Sequence, residues 1–186
     1  MPAARRFSRT WPIVPISFTI LEHVIQRIAA EQWKHEPGGP MPRVAVDNWA
    51  LLHSALVQPY QTAGGREVWP ALIPKAAVLF RGLVKNHGLV DGDKRMGVTA
   101  TGIFLILNGY TLRFTPVELR DYALEVAGRA GNYPVRRIER WLRERTDLRS
   151  PSDLRRMRRQ ALAIHALGDP IAGLFAEISP AKSHLS

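Results

Sequence analysis

One run of nine residues, His87-Gly88-Leu89-Val90-Asp91-Gly92-Asp93-Lys94-Arg95, gathers side chains that could do chemistry together. An imidazole is the side chain that titrates near neutrality unaided, so His87 is a candidate general base. Asp91 can hold a magnesium ion, which proteins usually bind through one or two carboxylates plus substrate phosphates. Gly92 lets the backbone turn so that neighbouring N–H groups point into one concavity. A helix is expected to begin here, and a helix start favours Asp or Glu. Lys94 and Arg95 suit that position only if an anion is to be bound. The combination suggests phosphoryl or nucleotidyl transfer to a hydroxyl. The same residues are equally compatible with a charged turn that merely faces water. Other motifs fit worse. Gly88 to Lys94 lacks the spacing and the Ser/Thr of a P-loop, Asp91-Gly92-Asp93 is too short for an EF-hand, and no His-Glu-x-x-His occurs.

The elements around this loop read as helices. Residues 1–16 form an irregular basic arm. A helix is expected from Thr19, with Glu22 completing a capping box and Leu21, Val24, Ile25 and Ile28 on one face. The Pro/Gly-rich stretch 36–42 breaks it. A second helix is expected over 47–57, ending before Pro59. Gly64-Gly65 between two short extended runs predicts a hairpin over 60–69. Pro74 is expected to open the helix leading into the loop. The helix after the loop, from Lys94 to Asn108 and closed by Gly109, is apolar nearly all round and so belongs at the centre. Further helices are expected over 115–128 and 134–145. Ser150-Pro151-Ser152-Asp153 marks both a helix start and a boundary. Beyond it, Leu154, Met157, Ala161 and Ile164 form a helical stripe ending at Gly168. A last amphipathic turn carries Ile171, Leu174, Phe175 and Ile178. The expected fold is all-α, a compact helical bundle with one small hairpin and a C-terminal helical extension.

Composition narrows the setting. The chain has 186 residues, no cysteine and a formal net charge of +10. Its length suits one domain with an extension. Without cysteine there is no disulfide framework and no thiolate metal site, which fits a cytoplasmic location. No apolar run approaches the roughly 20 residues of a spanning helix, and Pro12 and Pro15 interrupt a would-be signal peptide, so no membrane association is expected. The charge concentrates late in the chain, at Arg129, Arg136, Arg137, Arg140, Arg143, Arg145, Arg149, Arg155, Arg156, Arg158 and Arg159. Such a face favours anionic partners, although a solvated face is its commoner meaning and nucleic acid is not the favoured reading. His23, His35, His165 and His184 have no companions at metal-ligand spacing, and His53 reads as a hydrogen-bonded helix histidine rather than a ligand.

The loop resembles the Fic/Doc (Fido) motif, which in its Doc form is H-x-F-x-[DN]-[GA]-N-K-R. His87, Asp91, Gly92, Lys94 and Arg95 match it. Similar context surrounds it: Ser54-Ala55-Leu56, the Gly-Gly hairpin, Lys75-Ala76-Ala77, Val84-Lys85-Asn86 and Leu107-Asn108-Gly109-Tyr110. The resemblance covers roughly residues 17–147, leaving 1–16 as an arm and 148–186 as an Arg-rich extension. It implies that His87 deprotonates a target hydroxyl and that Asp91 binds Mg2+. It implies that Gly92, Asp93 and Lys94 form a phosphate nest and that Arg95 holds phosphate oxygens. It implies that Thr62, Ala63, Gly64, Gly65 and Arg66 form a flap aligning the target by strand addition. The Fic form G-N-G-R-x-x-R ends in an arginine that anchors the terminal phosphate for AMP transfer. This chain has Lys94 and Val98 at the deciding positions, so phosphoryl transfer from ATP, on a host protein such as translation elongation factor Tu, leads AMPylation. The inhibitory motif [ST]-x-x-x-E-[GN] is absent, which implies restraint by a separate antitoxin. Two positions depart from the motif. Leu89 replaces its phenylalanine. Asp93 replaces its asparagine and would set a carboxylate against phosphate, opening the alternative of a degenerate fold that only binds.

Overall fold

The protein is described from a computed structural model, which covers residues 13–35, 46–150 and 152–153. The expected loop at 36–42, the arm up to residue 12 and the extension from Leu154 onward lie outside the described residues, as does the Ile28 side chain.

Helix α1 (Phe18–His35) begins one residue before the expected start. Ser17 caps it: its hydroxyl accepts the Ile20 N–H at 3.2 Å and its carbonyl accepts the Leu21 N–H at 3.0 Å. Thr19 sits inside the first turn, so the Thr19/Glu22 box is corrected to a Ser17 cap. Helix α2 (Trp49–Val57) is capped by Asn48, whose side-chain oxygen accepts from the Ala50 and Leu51 N–H groups. A short 3-10 turn (Gln58–Tyr60) leads to strands β1 (Thr62–Ala63) and β2 (Arg66–Glu67). They pair antiparallel, with Thr62 opposite Glu67 and Ala63 opposite Arg66. Gly64 and Gly65, at φ 57° and 73°, supply the two left-handed residues of a two-residue turn.

Helix α3 (Leu72–Lys85) starts two residues before Pro74. Its first ladder bond runs from the Lys75 N–H to the Ala71 carbonyl at 3.2 Å. Pro74 therefore occupies a position with no intrahelical N–H bond to lose. Helix α4 (Asp93–Leu107) follows the motif loop and ends at Asn108 and Gly109. Strand β3 (Tyr110–Leu112), α5 (Pro116–Gly128), α6 (Val135–Glu144) and β4 (Thr146–Leu148) complete the described elements. β3 and β4 pair antiparallel over three residues. This second two-stranded sheet is absent from the expected single-hairpin layout. Each strand is three residues long and the two lie far apart in sequence, so neither carries a legible local period.

The core forms around α3 and α4. Phe80, Leu83, Met96, Ile103, Phe104 and Ile106 are essentially inaccessible. Gly97 brings α4 close to α3; a Cβ there would sit 2.5 Å from a Val84 methyl carbon. On the other side Tyr122 stacks on Trp141, with ring centroids 4.5 Å apart, and against Phe80 at 6.0 Å. The architecture is mostly α, as expected, with its catalytic candidates at the junction of the two central helices. No helix of the described residues is long and apolar enough to cross a membrane.

Candidate functional site

The loop hangs between the end of α3 and the start of α4, and three contacts fix its path. The Gly88 carbonyl accepts the Asp47 and Asn48 N–H groups at 2.9 and 3.1 Å. Leu89 forms an antiparallel bridge with Val46 and is buried. The Asn86 side chain donates to the Leu51 carbonyl at 3.2 Å. Gly88 presses on α2 so closely that an added Cβ would lie 2.3 Å from a Leu52 methyl carbon. Leu89, in the motif's phenylalanine position, thus fills the core side of the loop.

Beyond these anchors the loop faces outward. His87 adopts φ 50°, the left-handed region that a non-glycine residue occupies at a cost of roughly 1 kcal/mol. Its side chain is 74% exposed. Asp91, Lys94 and Arg95 are exposed, and Gly92 is half-buried. Gly92 sits at φ 103° and starts α4 without a side-chain cap. The Met96 N–H closes the first ladder bond onto the Gly92 carbonyl at 2.8 Å. The N–H groups of Asp93 and Lys94 precede that bond, at the positive end of a 15-residue helix.

Asp93 is placed differently from its neighbours. It is 7% exposed. Its Oδ1 accepts the Leu89 N–H at 3.0 Å, and its Oδ2 lies 3.6 Å from His87 Nδ1. Burial pushes this carboxyl above its ordinary value, while the Leu89 N–H, His87, Lys94 and the Gly88 N–H pull it partly back. A buried carboxylate is tolerated when its oxygens find donors, and here they find them inside the loop.

Asp91 is the residue that could hold a divalent ion. Among the described residues, no three His, Cys, Asp or Glu side chains converge on one point. An ion there would need substrate phosphate oxygens to complete its shell, which is how magnesium is ordinarily held. An exposed carboxylate next to the helix start fits that arrangement.

The hairpin is anchored elsewhere. β1 and β2 are exposed throughout. Lys75, 1% exposed, donates to the Pro59 carbonyl at 3.0 Å, pairs with Glu67 Oε2 at 3.1 Å and lies 4.8 Å from the Tyr60 ring centroid. Burial, with Glu67 second, raises the Tyr60 hydroxyl to about 12. Thr62, Ala63, Gly64, Gly65 and Arg66 are therefore tied to the start of α3, whereas His87, Asp91, Gly92, Asp93, Lys94 and Arg95 follow its end. The ten steps from Lys75 to Lys85 rise roughly 15 Å along the helix. Lys75 in this anchoring role escaped the sequence reading, where it served only as a landmark. A lone lysine on a broad apolar face was the available signal.

Residues 17–105 match the model of the Fic/DOC family. Over 86 residues the chain is 40% identical to a protein of Mycolicibacterium smegmatis named Toxin Doc. That alignment covers 45% of this chain and 66% of the relative, just short of two thirds of its length. No solved structure matches the chain.

Proposed function

Residues 17–105 belong to the Fic/DOC family, and from that premise we propose that the chain is a Doc-type toxin transferring a phosphoryl group from ATP to a hydroxyl of a host protein. One observation carries the reading. An exposed imidazole, His87, is held in the same tightly anchored loop as a helix start that presents Gly92, Lys94 and Arg95. In this reading His87 takes the hydroxyl proton as the oxygen attacks phosphorus. The new oxygen–phosphorus bond forms, the bond to the leaving phosphate oxygen breaks, and the electron pair departs with the leaving group. The Asp93 and Lys94 N–H groups and the Lys94 and Arg95 side chains stabilise the phosphate oxygens, and Asp91 would hold Mg2+. The ion would neutralise phosphate charge.

The matched relative's name motivates the toxin assignment and a separate antitoxin partner. Translation elongation factor Tu or a similar cytoplasmic protein is the target class that the motif resemblance implies. The hairpin would align the target segment by adding a strand to β1 or β2, both of which have exposed faces.

ATP carrying label on the gamma or the alpha phosphate, incubated with cell extract and the protein, tests the proposal. Gamma label on a protein is expected, and it should disappear in His87→Ala. Alpha label instead would replace phosphorylation with AMPylation. Absence of either label, in the wild type and in Asp93→Asn alike, would leave a fold that only binds.

A further inference from the structure

We propose that the outer face of α6 is a docking surface for double-stranded nucleic acid, which it holds by the phosphate backbone. Residues 129–159 carry eleven arginines, no lysine and four carboxylates, a surplus of seven charges out of the chain's net ten. Four of these arginines lie beyond the described residues. On α6, Val135, Ile138 and Leu142 are buried, and Arg136, Arg140 and Arg143 share the opposite, exposed face. A helix face that only meets water commonly interleaves both signs in ion pairs. Here the two glutamates of α6 are taken by Arg143 and Arg145. Arg136 and Arg140, one helical turn apart, have no carboxylate partner among the described residues.

The occupant follows from what this surface offers and what it lacks. A guanidinium presents a planar fork that matches phosphate oxygens in pairs, which the ammonium of lysine does not. The row from Arg136 to Arg143 rises roughly 10 Å along the helix, a length over which a duplex presents about six phosphates. Single strands are held largely by stacking their bases on aromatic rings. No ring of α6 or the turn before it is open for that. Trp141 stacks on Tyr122 at 4.5 Å and lies beneath Arg145 at 4.7 Å, and Tyr133 is buried. A duplex, gripped by its phosphates, needs no stacking platform. Docking of this kind does not depend on the transfer chemistry assigned to His87.

The full chain, titrated against a fluorescein-labelled DNA duplex of about 20 base pairs while anisotropy is read, tests this over about 50–200 mM salt. The wild type should bind at the low end and lose at least about thirtyfold in affinity across that range, through release of condensed counterions. Arg136→Gln and Arg140→Gln should each weaken binding at least about threefold and flatten the salt slope by about one unit. Arg120→Gln removes the same charge from the exposed face of α5 and should change neither. Thermal melting should be the same in all four proteins, since the replaced side chains are exposed. Four outcomes overturn the proposal. The wild type fails to bind the duplex at low salt. The α6 variants bind as the wild type does, which moves any binding to other arginines. Arg120→Gln weakens binding as much as they do, which leaves net charge alone as the cause. A labelled single strand of the same length binds more tightly than the duplex, or poly-glutamate displaces the duplex at a lower charge concentration than unlabelled duplex does. That last result would assign the face to an acidic protein.

Discussion

Gly88 shows how little room the catalytic candidate has. Its carbonyl takes two backbone donors from the start of α2, and its Cα lies against Leu52. A methyl group at this point meets side-chain carbons at 2.3 and 2.6 Å, so Leu52 or the loop must move. Gly88→Ala is expected to lower stability by about 1–3 kcal/mol, the usual cost of overpacking. Displacing His87, the preceding residue, should also reduce label transfer by at least tenfold, since misplacement by about 1 Å can cost 10²-fold. Denaturant melts and transfer rates measured on one preparation check both. A stable variant with undiminished transfer would show that the loop is less tightly set than this packing implies.

At the scale of elements, the hairpin and α5 illustrate two kinds of anchoring. Lys75 joins the 3-10 turn, β2 and α3 through one buried ammonium. Lys75→Met removes that junction and leaves the Pro59 carbonyl without its donor. The expected cost is about 1–3 kcal/mol, since Glu67 keeps access to water and the main penalty is one unsatisfied acceptor. Hydrogen exchange at residues 62–67 should accelerate while exchange in α4 stays slow. Helix α5 begins with a reciprocal capping box. The Thr115 hydroxyl accepts the Glu118 N–H, and Glu118 Oε2 accepts the Thr115 N–H at 2.7 Å. Those bonds from Thr115 hold the Glu118 carboxyl below its ordinary value. A depressed carboxylate stabilises the fold above its unfolded pKa, and that contribution disappears as pH falls through the folded one. Glu118→Gln should therefore melt below the wild type at neutral pH and match it once the pH drops under the carboxylate range. Thr115→Ala should cost about 1 kcal/mol at pH 7, typical for a lost N-cap.

Across the whole molecule, sequence-distant segments close around α4. The Asn108 side chain accepts the Val14 N–H at 2.9 Å and donates to the Val14 carbonyl at 2.8 Å and the Phe104 carbonyl at 2.8 Å. Residue 14, within the expected basic arm, is thereby strapped to the end of the central helix, and Ile16 enters the core. At the same end of α4, the Arg149 N–H donates to the Gly109 carbonyl at 2.8 Å, extending the β3–β4 pairing past Leu148. Asn108→Leu leaves two backbone groups of Val14 without partners. A loss of about 1–3 kcal/mol is expected, which lowers Tm by several degrees in a chain of this size. Exchange at Ile16 and Leu21 should rise well above exchange in α3. Unchanged melting would mean that the strap contributes nothing to the fold.

The sequence by itself determined the helices and the loop chemistry, because both are local. Apolar spacing placed α3 through α6 within a few residues, Gly64-Gly65 marked the hairpin turn, and the run from His87 to Arg95 assembled its charges over nine positions of one strand of backbone. Only the tertiary structure decided what depends on distant partners. The pairing of β3 with β4, the burial of Lys75 beneath the hairpin and the Asn108 strap each join residues whose own neighbourhoods give no hint of the contact. Asp93 is the clearest case. Its one-letter position suggests a carboxylate aimed at phosphate. Burial and the Leu89 N–H turn it inward, because a charge withdrawn from water goes where donors already wait.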